Sequence, residues 1–408
     1  MTPPEGSAAD NVETAAPLNR QALIAIIGSV GLVALIYSIA APLLALSLER
    51  QGFSSIVNGL LAAMPSVAIL LTGAFIPVVV RQFGAITSIA LGTALAVTAL
   101  MLFPVIGQIE VWFVLRFIMG ASIGMIWVIS ETWLNAMARP ESRGRLIGIY
   151  VTVLSAGSAS GPVLVGLMGS EGIRPFWISA AILAIAMLPI PFAARGGHVP
   201  TFHHRASISL LRALERSPAV MISAFIHGAT TLTALTLMPV YGVRTGLSEK
   251  EALLALTAIV VGGMLAQIPI GHLLDRMNAG RVLMFSGTIQ FVCAALLPFT
   301  IQDDILRWPL LVVWGGLGAG VYTTALTLLG RSYHLDELPN ANTAFTMTWE
   351  LGALAGPIVA GFAMSFWNPH GMLAVHWLGG AALVLLGLFI TREYRAQRIA
   401  NLPNPPAG

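Results

Sequence analysis

One glycine-rich, apolar stretch occurs twice in this chain. Residues 155–166 read SAGSASGPVLVG, and residues 350–361, which lie 195 positions later, read ELGALAGPIVAG. The tetrapeptide GFSS at 52–55 likewise returns 194 positions later as GLSE at 246–249. The two matches are separated by almost the same number of residues, 195 and 194, and they occur in the same order. They therefore predict an internal duplication. We therefore expect a fold built of two similar halves.

The composition predicts that these halves lie in a membrane. Of 408 residues, 56% are hydrophobic and only 10% are charged, whereas soluble domains carry about 25% charged residues. Residues 21–47, 52–80, 82–109 and 146–170 contain no charged side chain. Each tract exceeds the roughly 20 residues that a helix needs to cross a bilayer. None shows the alternation of a barrel strand, so the tracts are expected to be helices.

The predicted fold class is an all-α membrane protein with 12 transmembrane helices, arranged as two six-helix pseudo-repeats. The predicted spans are 21–48, 55–80, 85–106, 111–136, 146–169 and 175–194, and then 218–241, 250–274, 281–301, 308–331, 340–367 and 371–392. Residues 1–20 are expected to form a disordered polar tail, 21–194 and 218–392 the two bundles, and 393–408 a C-terminal tail. Residues 195–217 are expected to form a linker, either solvated or carrying a short interfacial helix.

The distribution of basic residues predicts the orientation and location. Of the 21 Lys and Arg residues, fifteen lie on the side of the termini, five lie on the opposite side, and Arg116 lies inside span 4. This asymmetry favours two cytoplasmic termini in a plasma or inner membrane. Because the basic residues sit in short loops, the net charge of +3 does not indicate a nucleic-acid partner. We expect a monomer in the lipid bilayer.

Several function classes lack the residues that they need. The chain has neither the Gly-x4-Gly-Lys-Ser/Thr loop of an ATP-driven motor nor the His-Glu-x2-His helix of a metalloprotease. Cys293 is the only cysteine, and the loop histidines His198, His203 and His204 have no cysteine or carboxylate beside them. We therefore expect no metal, no cofactor and no enzymatic activity. A secondary transporter of a small molecule remains.

Three motifs resemble the major facilitator superfamily. RFIMGASIG at 116–124 is similar to that family's Arg-x3-Gly pattern in span 4, and GSASGPVLVG at 157–166 to its Gly-x3-Gly-Pro motif. GHLLDRMNAGR at 271–281 resembles the loop motif Gly-x3-Asp-Arg, with Asn278 at a usual glycine position. The first-half counterpart, PVVVRQFG at 77–84, is degraded.

Two longer stretches resemble the YcaD-like branch of that superfamily, namely residues 125–146 (MIWVISETWLNAMARPESRGRL) and 238–248 (MPVYGVRTGLS). The resemblance implies alternating access by two rocking halves, with spans 1, 4, 7 and 10 lining the cavity and spans 2, 5, 8 and 11 forming the contact between halves. The motif of span 5, commoner among antiporters, favours a proton-coupled antiporter that exports a small organic solute. A symporter or uniporter that imports a nutrient, and a receptor or scaffold without turnover, remain alternatives.

Two groups of residues are predicted to serve in gating. The small residues of spans 5 and 11 permit either tight helix packing or a hinge at the prolines: Gly157, Gly161, Pro162, Gly356 and Pro357. Charged residues at helix ends are expected to act as a reversible latch: Asp275, Arg276 and Arg81, where Arg81, Arg143 or Arg145 could pair with Glu131.

Four ionisable residues inside the spans are candidates for proton coupling. Glu350 lies near the middle of span 11, where an isolated carboxylate costs at least several kcal/mol, so that it either carries a coupled proton or braces a neighbouring helix. The positive charge of Arg116 could favour the ionised form of a nearby acid or receive an anionic substrate. Alternatively, its guanidinium could bind backbone carbonyls. Glu131 is either a structural latch or a proton carrier, and His227 is either a packing residue or a proton carrier.

Candidate substrate contacts are polar or aromatic residues on cavity-facing spans: Tyr37, Asn58, Trp127, Gln267, Tyr322 and Thr323. A cavity with few charges, several aromatic rings and scattered hydroxyls suits an uncharged, cationic or amphipathic organic solute. The identity of that solute does not follow from the sequence.

Overall fold

The computed structural model describes residues 20–137, 143–194, 210–333 and 337–400. Over these residues it is helical, with one 3-10 turn at Gly73–Phe75 between α2 and α3. The helices of the first half are α1 Arg20–Arg50, α2 Ser55–Thr72, α3 Ile76–Phe83, α4 Ala85–Leu102, α5 Ile109–Met137, α6 Arg143–Met168, α7 Arg174–Met187 and α8 Pro189–Ala194. They are followed by α9 Leu210–Arg216, α10 Pro218–Arg244, α11 Glu249–Arg276, α12 Ala279–Thr300, α13 Arg307–Ser332, α14 Leu338–Phe366 and α15 Gly371–Ala400.

The all-α membrane fold is confirmed. Among the described residues, 11 helical segments are long and apolar enough to cross a membrane, and the predicted span 5 contributes a shorter apolar segment at Thr152–Met168 within α6. Each predicted span thus coincides with helical residues, although not every span is a single helix. The predicted N-terminal tail lies outside the described residues up to Asn19.

Three element boundaries differ from the sequence prediction. Span 2 is interrupted at Gly73–Phe75, because Pro77 lacks an N–H and cannot continue the helical hydrogen bonds. Span 6 is split at Leu188 by Pro189 for the same reason. The last helix continues past the predicted end of span 12 and includes the first part of the predicted C-terminal tail, as far as Ala400.

The glycine stripes of α6 and α14 pack against the first helix of their own half. A Cβ added at Gly157 would lie 2.1 Å from the carbonyl oxygen of Gly31 on α1. In the second half, a Cβ at Gly356 would lie 2.2 Å from the carbonyl oxygen of Ala229 on α10. At such distances only glycine lets the backbones approach, so the tight-packing interpretation describes both stripes. The same geometry in both halves also reflects the predicted duplication.

The two halves meet through α2 with α14 and through α6 with α11. We call the side of the membrane on which α1 begins and α15 ends the termini side, and the other the far side. Close contacts between the halves lie toward the far side. There the carbonyl oxygen of Pro357 would be 2.2 Å from a Cβ at Gly59, and that of Ser55 would be 2.3 Å from a Cβ at Gly361.

The predicted linker contains the short helix α9 on the termini side. Ala213 is fully buried, whereas Leu211 and Leu214 are exposed, as for a helix lying on a membrane surface. Arg216 donates two hydrogen bonds to Glu337, of 2.7 and 2.9 Å, and its guanidinium lies 4.5 Å from the ring of Tyr333. These contacts attach α9 to the second half.

Candidate functional site

The far side is closed by two arginines that each reach from one half to the other. Arg244, at the end of α10, donates two hydrogen bonds of 2.7 Å to the carboxylate of Glu49 and a third of 2.7 Å to Ser55 Oγ. Arg50, at the end of α1, forms an ion pair with Glu249 and a 2.7 Å hydrogen bond to Ser170 Oγ. We call these contacts the far-side lock.

The far-side lock follows the internal repeat. Arg50 and Arg244 are 194 positions apart, as are Ser55 and Glu249. Each arginine therefore contacts the first residue of the second long helix in the opposite half. Sequence reasoning missed this lock because it used the matching loops only to align the halves. The signal was present, since an arginine precedes the Gly-x-Ser turn in both.

A central cluster lies between the halves near the middle of the membrane. Glu350 on α14 is 8% exposed, and the hydroxyl of Ser66 on α2 lies against it without good hydrogen-bond geometry. Tyr37 on α1 is within electrostatic range of both Glu350 and Arg116. Three predicted residues, from α1, α5 and α14, thus come together.

Arg116 is held in this cluster with an incomplete set of partners. It is 1% exposed, and its Nη1 has no hydrogen-bond partner among the described residues. A small cavity beside it is lined by Ala41, Asn58 and Thr236, among others. Because a buried guanidinium needs hydrogen-bond acceptors, this donor makes Arg116 a candidate binding residue.

The other predicted polar contacts lie outside the central cluster or are satisfied by the backbone. Asn58 borders the small cavity, but its amide donates to the carbonyl of Ala45 at 3.1 Å. Thr323 donates to the carbonyl of Ala319 at 3.2 Å, and Gln267 is half-buried on α11. Their role as substrate contacts stays a prediction.

A second cluster surrounds Glu131, nearer the termini side than the central cluster. Glu131 on α5 is exposed, yet it lies within electrostatic range of Tyr150 on α6 and Tyr322 on α13. Trp127, one helical turn before Glu131, approaches the Tyr150 hydroxyl. Aromatic residues of α5, α6 and α13 thus lie near this exposed carboxylate, and α13 belongs to the opposite half.

His227 completes this cluster and is fixed by two neighbours. Trp349 Nε1 donates to His227 Nδ1 at 2.8 Å, and Thr231 Oγ1 lies 3.3 Å from His227 Nε2. The ring of Tyr322 lies 5.1 Å from the imidazole, centroid to centroid. Because Nδ1 accepts a hydrogen bond, this geometry is that of a neutral imidazole with its proton on Nε2.

The charged residues predicted as a latch lie at the termini-side ends of α3 and α11. Asp275, Arg276 and Arg81 are all exposed, and within the described part of the chain none of them forms a salt bridge. Asn278, the departure from the loop motif, caps α12 by accepting from the amide of Gly280 at 2.7 Å. The side chains of Arg143 and Arg145 lie outside the described residues.

No group of three or more metal-ligating side chains occurs in the part of the chain that the structure describes. His198, His203 and His204 lie outside that part.

Comparison with known proteins identifies the family. A family model described as the Major Facilitator Superfamily matches residues 26–337 and 254–406. The chain is 27% identical over 335 residues to the MFS-type transporter YfkF of Bacillus subtilis, covering 79% of this chain and 83% of the relative. It is 26% identical over 297 residues to the MFS-type transporter YcaD of Salmonella typhi, covering 72% and 74%.

Solved structures share the fold. The nucleoside transporter NupG aligns with a TM-score of 0.72 at 17% identity, over 93% of this chain and 99% of that one. An inward-facing, occupied bacterial homologue of the human lysosomal transporter Spinster aligns with a TM-score of 0.73 at 13% identity, over 93% and 97%.

Proposed function

The chain belongs to the Major Facilitator Superfamily of membrane transporters, and from this premise we propose that it is a proton-coupled antiporter that exports a small organic solute. The supporting observation is the position of Glu350. This carboxyl group is buried where α14 meets α2 of the other half, beside Ser66 and within range of Tyr37.

Glu350 is placed to exchange its proton as the halves move. In the conformation that is closed on the far side it is shielded from water, which favours the uncharged form. Separation of α2 from α14 admits water to Glu350, so that the carboxyl group can exchange its proton with the far side. Arg116 is the cation of the same cluster, since both Arg116 and Glu350 lie within electrostatic range of Tyr37. Proton binding thus favours one arrangement of the halves over the other.

We assign gating to helix surfaces at the contact between the two halves, where small residues let the helices separate and pack together again. Gly59 and Pro357 form a smooth contact between the halves, and the far-side lock closes one end of it. On the termini side, Asp275, Arg276 and Arg81 are available to form the alternative latch once the halves rock the other way. The glycines at 157, 161 and 356 keep each half rigid during this movement.

The test uses purified protein in vesicles. Solutes are first selected by thermal stabilisation of the protein, since a ligand that binds only the folded state raises its unfolding temperature. For each selected solute, an imposed pH gradient is expected to drive uptake against its concentration gradient. Glu350→Gln is expected to abolish this pH-driven uptake while solute exchange at equal pH persists, because the mimic of the protonated acid still permits rocking.

The outcomes separate the alternatives. Solute and proton movement in opposite directions supports the antiporter, whereas movement in the same direction identifies a symporter. Flux that ignores the pH gradient identifies a uniporter, and ligand binding without exchange identifies a receptor. Retention of pH-driven uptake in Glu350→Gln rules out Glu350 as the coupling residue.

We further propose that the termini side is cytoplasmic and that the protein resides in the plasma or inner membrane, as the loop charges predict. In a Cys293→Ala background, Glu171→Cys on the far side is expected to react with an impermeant thiol reagent in intact cells. Arg331→Cys is expected to react only after permeabilisation. The reverse pattern would overturn the orientation.

A further inference from the structure

Five aromatic residues cluster on the side of the protein where Glu131 lies, and we call them the aromatic cage: Trp127, Tyr150, His227, Tyr322 and Trp349. The rings come from α5, α6, α10, α13 and α14, so both halves contribute. Tyr322 is 39% exposed and Tyr150 is 8% exposed. Tyr322 is thus accessible from outside the cage, whereas Tyr150 is packed against the bundle.

From this arrangement we infer that the aromatic cage binds an organic cation, with Glu131 as its counter-ion. The inference rests on the proposed function only in taking the space between the two halves as the transport pathway. Ring faces carry partial negative charge and attract cations, most strongly where water is partly excluded. A quaternary ammonium or similar ion therefore finds both charge and apolar surface in the cage.

The hydrogen bond between Trp349 and His227 makes the cage suitable for a cation. It holds His227 as a neutral acceptor, with the imidazole 6.3 Å from the Trp349 ring and 5.1 Å from the Tyr322 ring. Phe345 lies 5.5 Å from Tyr322 and supports it from behind. The walls are therefore uncharged and fixed in position, which reduces the entropy lost on binding.

Charge selects a cation over a neutral or anionic solute. Within the described residues, Glu131 is the charged group that acts on both Tyr150 and Tyr322. An anion would be repelled by this carboxylate and by the partial negative charge of the ring faces. A neutral solute would gain only apolar contact.

The cage also adjoins the proposed proton site. Trp349 directly precedes Glu350 on α14, and its carbonyl oxygen would be 2.0 Å from a Cβ at Gly228 of α10. With the backbone so tightly packed, a shift of α14 moves the cage and the carboxyl group together. A cation in the cage and a proton on Glu350 can thus both affect the position of α14.

The experiment measures binding to purified protein in detergent at one pH, with no gradient. The probes form two matched pairs: phenyltrimethylammonium with its neutral isostere tert-butylbenzene, and tetraphenylphosphonium with the anion tetraphenylborate. Binding is followed by calorimetry and by tryptophan fluorescence. Each cation is expected to bind at least about tenfold more tightly than its partner, in keeping with a counter-ion plus stacked rings.

Variants assign the selectivity to the cage. Glu131→Gln is expected to weaken cation binding about tenfold and to leave tert-butylbenzene unaffected, whereas the matched control Glu171→Gln, in a far-side loop, changes neither. Tyr322→Phe keeps the ring and is expected to retain binding, while Tyr322→Leu loses it. Circular dichroism and monodisperse elution verify that each variant is folded.

Three results would overturn the inference: failure of both cations to bind folded protein, equal binding within each pair, or unchanged cation binding in Glu131→Gln. If Glu131 is only a latch for Arg143 or Arg145, the last result follows. Failure of the proposed function is distinguishable, because pH-driven transport can be absent while selective cation binding persists. Conversely, pH-driven flux of a neutral or anionic solute without cation preference would overturn the inference alone.

Discussion

Arg244 holds Glu49 through two parallel hydrogen bonds of 2.7 Å, and this pair joins the end of α10 in one half to the end of α1 in the other. The side chains are only 17% and 21% exposed. Hydrogen bonds to charged groups contribute about 1.5–3 kcal/mol each when buried and less when water reaches them. The pair is therefore expected to stabilise the conformation that is closed on the far side.

Replacing Glu49 should shift the protein away from that conformation. For Glu49→Gln we expect a loss of about 1–2 kcal/mol, which is roughly a 5- to 30-fold change in the balance of conformations. The measurement is the distance between spin labels at Glu171→Cys and Ile305→Cys, one in each half on the far side, in a Cys293→Ala background. A longer distance should become populated.

The matched control is Arg216→Gln, which removes a bidentate ion pair with Glu337 that lies within the second half. It is expected to leave the far-side distance unchanged. The exchanged pair Glu49→Arg with Arg244→Glu should restore part of the short distance. An unchanged distance in Glu49→Gln would show that the lock does not hold the conformation.

Three glycines should respond differently to the same added methyl group. Gly59→Ala places a Cβ 2.2 Å from the carbonyl oxygen of Pro357 across the halves, so it should open the far side with little loss of stability. Gly157→Ala clashes within the first half at 2.1 Å from the carbonyl oxygen of Gly31, so it should destabilise the fold by about 1–3 kcal/mol.

Gly28→Ala is the control, because nothing lies within 4 Å of its added Cβ. Alanine favours helix over glycine, so this variant should be neutral or more stable by up to about 1 kcal/mol. Thermal unfolding reports stability, and the labels at Glu171→Cys and Ile305→Cys report opening. Equal unfolding temperatures for the variants at positions 157 and 28 would contradict the packing argument.

Sequence reasoning reached the fold because the membrane imposes it. Uncharged tracts of bilayer length must be helices, and the repeat of SAGSASGPVLVG at 350–361 divides them into two halves. The sequence prediction did not include the helix interruptions near Pro77 and Pro189, because proline is tolerated in some membrane helices and interrupts others. Pro162 lies within continuous α6, so the residue type alone did not decide the outcome.

The candidate site was predicted only in part, for a physical reason. Glu350, Arg116 and Tyr37 stood out individually because charged and polar groups are costly in lipid. Their proximity depends on how the helices are rotated about their axes and on the angles at which they cross. Neither can be deduced from a single sequence. The bond between Trp349 and His227, 122 positions apart, is of this kind. So is the far-side lock, although its repeat spacing offered a clue.

Asp303 provides a pH-dependent prediction outside the membrane. Its carboxylate accepts from the amides of Ile305 and Leu306 at 2.8 and 2.9 Å, and these donors lower its pKa in the folded protein. Its stabilising effect is therefore complete above the unfolded pKa of about 3.9 and is lost as the pH falls through the lower folded value.

The variant Asp303→Asn should thus unfold at a lower temperature than the parent protein at pH 7, and this difference should shrink as the pH falls below about 4. Thermal unfolding in detergent from pH 3 to 7 measures it. Glu171→Gln, in another far-side loop, should show no such convergence. A difference that does not depend on pH would exclude the charge of Asp303 as its cause.

The state of His227 can be read directly, and it bears on both the proton pathway and the aromatic cage. Because Trp349 donates to Nδ1 at 2.8 Å, nitrogen-15 spectra of histidine-labelled protein at pH 7 should show an unprotonated Nδ1 and a protonated Nε2. The His227→Gln spectrum identifies the signal by its absence. Trp349→Phe removes the donor and should yield a mixture of tautomers, whereas Trp177→Phe, on an exposed surface, should not. An imidazolium signal in the parent protein would instead make His227 a proton carrier, and it would place a positive charge inside the cage that is proposed to receive one.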